Sequence, residues 1–277
     1  MTKTTPSSAS APTPPKEALR RLVRASKTGL ISVETAAAAL KLPRRVTSIR
    51  LAALARRGWL RRVRRGLYLV LPLEVGGTAP TTVEDPWVLA LELFAPCYIG
   101  GWSAAEHWGL TEQLFRSTFV VSARRLRSTN ERVLGTEFRL AETPLRRLNG
   151  VTPVWRGCER VPVSNRERTI ADAFVDPSWV GGIRQLAEIL RTYRASKEWA
   201  PAVLLRELTL VGTGAAFKRL GFLAEILLAR DRRLIEAARA RRTTGIVKLD
   251  PAIRTRGKLS KRWGLWVNAS VRDEGAA

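Results

Sequence analysis

Between Pro43 and Leu71 the chain carries an order of local signals that few folds accommodate. A helix-forming run, RRVTSIRLAALAR, follows Pro43 and stops at Gly58. Proline fits a first helical turn because its missing N–H would have no partner there, and glycine just past the end takes up the reversal. Two β-prone runs follow, WLRRV and LYLVL, joined around Arg64-Arg65-Gly66, which reads as a basic hairpin. Two further helices are expected upstream. In LRRLVRASKTG, Leu19, Leu22 and Val23 stand at helical spacing before the stop at Gly29. VETAAAAL is rich in strong helix formers, with Ser32 placed to cap it. Three helices and a hairpin, with the tight break Lys41-Leu42-Pro43 between the second and third, are the order of a winged helix-turn-helix. In the third helix Val46, Ile49, Ala53 and Leu54 recur at i, i+3, i+7 and i+8 and are expected to face the core.

At 277 residues the chain is about twice the size of an ordinary domain, so a second domain is expected. Residues 1–15 are Ser, Thr, Pro and Ala without apolar periodicity and read as a disordered tail. The winged helix takes 16–75. A linker falls at 76–81, centred on Gly76-Gly77-Thr78-Ala79-Pro80, and 82–277 form the second domain. There WVLALELFA reads as a helix ended by Pro96, and Ser103–Glu106 and Ser164–Glu167 read as capping boxes. Strands are expected at Phe119–Val121, Glu137–Leu140, Thr152–Trp155, Glu159–Val163 and Trp263–Val267. Helices are expected at Ile183–Ala195, Ala200–Leu210, Ala215–Leu228 and Asp231–Ala240. The class is α+β, with Trp102, Trp108, Trp179, Trp263 and Trp266 expected in the second core.

Charge decides what the first domain is for. The chain holds 48 Lys+Arg against 24 Asp+Glu, a net of +24. Residues 16–75 hold 15 basic and 3 acidic side chains, 78–217 hold 17 and 15, and 218–262 hold 14 and 4. Compositional drift would spread the excess evenly, so two basic blocks around a near-neutral middle point to polyanion-binding surfaces. With the core stripe set aside, the third helix offers Arg44, Arg45, Thr47, Ser48 and Arg50 near its N-terminal end. Arginine pairs with guanine edges, and Ser or Thr meets phosphate or a thymine methyl. Arg61, Arg62, Arg64 and Arg65 would carry the hairpin tip against the minor groove or backbone, the bland alternative being a solubilising turn. Ser32 would serve as a helix cap, or also accept a phosphate at that helix N-terminus. The second block, with Lys218, Arg219, Arg230, Arg232, Arg233, Arg239, Arg241, Arg242, Arg254, Arg256 and Lys258, has three readings. It extends the DNA footprint, docks an acidic or RNA-bound partner, or is a solvated surface.

Other chemistry finds little footing. Cys97 and Cys158 are the only cysteines and His107 the only histidine, so disulfide scaffolds and Cys- or His-rich metal sites are excluded. No GxxxxGK[ST] or GxGxxG occurs, and no cofactor is called for. Asp172 and Asp176 share one helix without a metal-binding motif, and His107 reads as packed or surface-borne. No apolar run approaches the roughly 20 residues of a membrane span, and a cytoplasmic location is expected. A nuclease targeted by a winged helix stays open as an alternative, as does a plain regulator.

RRGLY, YIGGWSAAEHWGLTEQ, SNRERTIADAFVDPSWVGG, FKRLGFLAEIL and WGLWVN, in that order over residues 16–270, resemble the AbiEi family of type IV antitoxins. The resemblance implies a non-enzymatic repressor that binds inverted repeats of double-stranded DNA in its own promoter. It also implies a cognate nucleotidyltransferase-like toxin, countered without a requirement for direct contact. DNA binding would lie in the N-terminal domain and antitoxicity would need the C-terminal one.

Overall fold

The computed structural model describes residues 15–26, 29–71, 85–228 and 231–271. The chain divides between Glu84 and Asp85 into two units. The expected tail, apart from Pro15, and the expected linker at 76–81 lie outside the described residues.

In the first unit, α1 (Pro15–Ala25) is followed by β1 (Leu30–Ser32), α2 (Val33–Leu40), α3 (Arg44–Arg56), β2 (Leu60–Arg64) and β3 (Leu67–Val70). The order is that of a winged helix-turn-helix, with a three-stranded sheet ordered β1-β3-β2. The strand β1 is too short to announce itself in sequence; it exists because Leu30, Ile31 and Ser32 pair antiparallel with Leu69, Tyr68 and Leu67. The reversal between α2 and α3 is made by Lys41, in the left-handed region at φ 54°, whose N–H closes on the carbonyls of Ala37 and Ala38. The hairpin turns at Arg65-Gly66, and Gly66 takes φ 81°, which a side chain would resist. A single core holds Leu19, Leu22, Ile31, Leu40, Leu51, Leu54 and Tyr68. Val23, expected inside, is exposed, and the buried stripe of α1 is Ala18, Leu19 and Leu22.

The second unit is α+β. It begins with α4 (Pro86–Phe94), β4 (Cys97–Ile99), α5 (Gly101–His107), β5 (Thr118–Ser122), β6 (Asn130–Val133), β7 (Thr136–Glu142), β8 (Val151–Arg156) and β9 (Glu159–Ser164). It continues with α6 (Arg166–Val175), α7 (Ile183–Ala195), α8 (Pro201–Val211), α9 (Gly214–Leu227) and α10 (Arg232–Arg241), then short β10 (Val247–Lys248), β11 (Lys258–Ser260) and β12 (Leu265–Val267). Six strands form one mixed sheet ordered β6-β7-β5-β4-β9-β8, and the last three form a small sheet ordered β10-β12-β11. Apolar faces of the later helices converge on Ile170, Phe174, Leu186, Leu190, Leu208, Leu220 and Trp263.

Several local expectations shift. Ser103 lies inside α5, where its hydroxyl accepts from Phe119 N–H at 2.9 Å, and Gly100 is the cap. Asn165, not Ser164, caps α6, accepting from Arg168 N–H at 2.7 Å. Of the five tryptophans expected in the core only Trp263 is fully buried; Trp102, Trp108, Trp179 and Trp266 are half-buried. The indoles of Trp102 and Trp108 each need an acceptor and reach the carbonyls of Ser117 and Ser164, at 2.8 and 2.6 Å. Gly221 on α9 leaves room for Trp263: a Cβ there would stand 2.0 Å from the ring.

Candidate nucleic-acid interface

Helix α3 turns a different face to the core from the one its apolar pattern suggests. Its buried residues are Thr47, Leu51 and Leu54, at i, i+4 and i+7. Thr47 is 0% exposed, whereas Val46 is 47% and Ile49 63% exposed. Burying a hydroxyl costs free energy unless it is hydrogen-bonded. Thr47 meets that need within its own helix, donating to the Pro43 carbonyl one turn back at 3.1 Å. Two expectations therefore reverse. Thr47 cannot present itself to a groove, and Val46 and Ile49 are not core residues. Ala53, the third member of the expected stripe, is half-buried, and only Leu54 faces inward as expected.

At about 100° per residue, Ile49 stands diametrically opposite the midpoint of Thr47 and Leu51. The outward side of α3 is thus centred on Ile49, with Arg45 one turn before it and Arg56 two turns after, all three exposed. Arg44 and Ser48 are also exposed, and Arg50 is half-buried. The Arg44 guanidinium pairs with Glu34 on α2 at 2.7 Å, with both side chains largely in solvent. Such a pair contributes at most about 1 kcal/mol.

On the hairpin, Arg61, Arg62, Arg64 and Arg65 are all exposed. Strict alternation would bury every second one. The register slips between Arg62 and Arg64, leaving Val63 as the extra residue of a bulge. Ser32 serves as the cap of α2: its Oγ accepts from Thr35 N–H at 3.1 Å and contacts the Thr35 hydroxyl at 3.0 Å.

The second basic block separates into two populations. Lys218 is 1% and Arg219 4% exposed, so neither belongs to a surface. The Lys218 ammonium donates to the Gly245 carbonyl. Arg219 donates to the carbonyls of Phe174 and Val175 at 3.0 Å each, and to those of Leu249 at 3.0 Å and Lys248 at 3.3 Å. Its planar fork ties the end of α6 to β10 and the residue after it. Arg232, Arg233, Arg239, Arg241, Arg242, Arg254, Arg256 and Lys258 are exposed; Arg230 lies outside the described residues. An open cleft is lined by Arg194, Asp231, Arg232 and Arg233.

Asp172 and Asp176 have structural roles. Asp172 is buried and accepts from Arg168 Nε at 2.9 Å and the Tyr98 hydroxyl at 2.7 Å. Burial pushes its carboxyl up from the ordinary value, against the pull of the Arg168 guanidinium. Arg168 also donates to the carbonyls of Arg147 and Asn149, to the Asn149 side-chain oxygen and to the Tyr98 hydroxyl, so one buried side chain joins α6 to the segment before β8. Nothing in sequence marked this network, because an i, i+4 Arg–Asp pair on a helix is usually a surface pair. Asp176 caps the turn after α6 through Ser178 N–H at 3.0 Å. His107 packs edge-on against Trp87 and Trp108, with ring centroids 5.4 and 4.5 Å away. Burial, then Arg156 and Arg166, hold its pKa below 6.5. Among the described residues, no three His, Cys, Asp or Glu converge as a metal site would need, and no helix is long and apolar enough to cross a membrane.

Residues 17–70 match the family of AbiEi antitoxin transcriptional regulators. The AbiEi match therefore runs from the start of α1 to the end of β3, the whole winged helix. Across nearly the full chain the fold is similar to the crystal structure of the RV2827C protein from Mycobacterium tuberculosis. The TM-score is 0.59 at 18% sequence identity, covering 90% of this chain and 89% of that one. No curated protein matches the chain. The family match thus falls within the first unit, whereas the structural likeness spans both units and concerns the fold alone.

Proposed function

We propose that this chain is a DNA-binding transcriptional repressor of the AbiEi type. In this reading α3 enters the major groove, with Arg44, Arg45, Ser48 and Arg50 near its leading end. The arginines of the β2–β3 hairpin lie on flanking backbone or minor groove. One observation carries it: the unit that matches a regulator family exposes a basic helix and a basic hairpin together. Close-set arginines concentrate positive potential on one surface, and duplex DNA supplies regularly spaced phosphates to meet it.

Two protomers on an inverted repeat in the chain's own promoter would give autoregulation. The second unit would serve to counter a nucleotidyltransferase-like toxin. If about five phosphates are neutralised per protomer, log K should fall with log [salt] at a slope near −4.5 per bound protomer. The test is retardation of the DNA upstream of the gene. Replacing Arg44, Arg45 and Arg50 together with Ala should abolish it, and a flat salt slope would end the DNA reading. Growth of cells co-expressing the neighbouring gene tests antitoxicity. Protection by the same triple variant would place that activity outside the winged helix.

A further inference from the structure

Solvent-exposed apolar side chains are ordinary when scattered singly. Val46 and Ile49 differ in their setting: three residues apart on one helix, exposed at 47% and 63%, on a surface otherwise set with arginines. The core does not need them, since Thr47, Leu51 and Leu54 supply the inward stripe of α3. A β-branched residue is not favoured by an exposed helix position, where Ala, Lys or Glu has better propensity. An apolar centre inside a cationic rim calls for a partner that is polyanionic outside and presents apolar groups inside. The major groove of duplex DNA is such a surface, with phosphates along its edges and thymine C5-methyl groups on its floor.

We propose that Val46 and Ile49 read thymine methyl groups, so that the sites this chain selects carry thymine under that face. The inference rests on the DNA-binding reading above and adds the base that α3 prefers. Three residues rise about 4.5 Å along a helix, against about 3.4 Å between stacked base pairs, so the two side chains meet methyls one or two steps apart. Ala52 and Ala53 lie one turn further on and carry no bulk that would hold the helix off the groove. A second copy of the chain is the poorer occupant. It would set Arg45 and Arg56 of one protomer against those of the other, and like charges across an interface are penalised.

The test selects duplexes from a random library with the full chain at fixed salt. The best-bound duplex is then resynthesised with deoxyuridine for thymine, which removes the methyls and leaves pairing unchanged. Wild type should bind the uracil duplex about fourfold more weakly for each methyl contacted, the factor carried by burying one such group. Ile49→Ala and Val46→Ala should each bind the thymine duplex more weakly and lose the corresponding part of the discrimination, with the salt slope unchanged. Equal binding of both duplexes by wild type, a measurement that needs no variant, overturns the inference while DNA binding stands. So does full discrimination in both variants, or Ile49→Asp dispersing a self-associated species with discrimination intact. Failure to enrich any duplex, with a flat salt slope, removes the DNA-binding reading and this inference together.

Discussion

The inverted face of α3 is open to a direct energetic test. Leu51 is wholly buried. Truncation to Ala removes three carbon groups, about 2.4 kcal/mol of transfer free energy at ~0.8 each, and the residual cavity raises the cost to about 3–4 kcal/mol. Ile49 loses the same three groups on truncation, but at 63% exposure only about a third of that burial exists, about 0.9 kcal/mol. Alanine recovers about half of this through its better helix propensity, so the net cost is about 0.5 kcal/mol. Thr47→Val should fall within about 1 kcal/mol of neutral. It deletes the hydroxyl bond to Pro43, but the Pro43 carbonyl keeps the Thr47 N–H at 2.9 Å. A bulk melt would mix the transitions of two units, so the measurement is native-state hydrogen exchange on α3 amides. Leu51→Ala should speed exchange on the order of 100-fold or more, and Ile49→Ala less than about threefold, at ~1.4 kcal/mol per decade. Comparable acceleration by the two would mean that Ile49 faces inward, and the assignment of the outer face would fail.

Three further outcomes follow from the second unit. Burial pushes the Cys97 thiol up to about 12, while Cys158 is exposed. Iodoacetamide at mildly alkaline pH should therefore add once to the native chain and twice after denaturation, and a second native adduct would contradict the burial. Gly221→Ala should destabilise by about 1–3 kcal/mol despite alanine's gain of about 1 kcal/mol in helix propensity, because the new methyl displaces Trp263 and breaks its 2.6 Å bond to Glu225. Unchanged hydrogen exchange on α9 amides together with unchanged tryptophan emission would refute that packing. His107 is held below 6.5 in the fold, so the unfolded chain binds its proton first and stability falls as pH drops through 6.5. His107→Gln should flatten that part of the pH profile, and identical profiles for variant and wild type would show that the ring is not desolvated.

Element boundaries in the first unit were legible because punctuation is local chemistry. Pro43 and Gly58 bracket α3, Ser32 caps α2, and Arg65-Gly66 turns the hairpin. Each works through its own backbone freedom or a hydrogen bond a few residues away, so neighbours in space do not have to be known. The short strands β1 and β4 were not legible, since three residues become a strand only when a partner supplies hydrogen bonds. The tryptophans were read as core from size alone, yet four of five keep part of the ring in solvent, and the indole N–H of Trp102 and Trp108 reaches a backbone carbonyl.

What the sequence determined by itself was the winged-helix order, the α+β class and the concentration of positive charge in two blocks, because these depend on residue type and spacing. Only the tertiary structure decided which side of each element faces in. Two stripes on α3 satisfy helical spacing, and the less apolar one is buried, which Thr47 permits by bonding its hydroxyl to the Pro43 carbonyl. Lys218 and Arg219 look like surface charge until backbone carbonyls from segments 27 to 45 residues away surround them. Burial of a polar group is permitted by whatever acceptors the fold brings to it, and that is a property of the assembled chain rather than of any stretch within it.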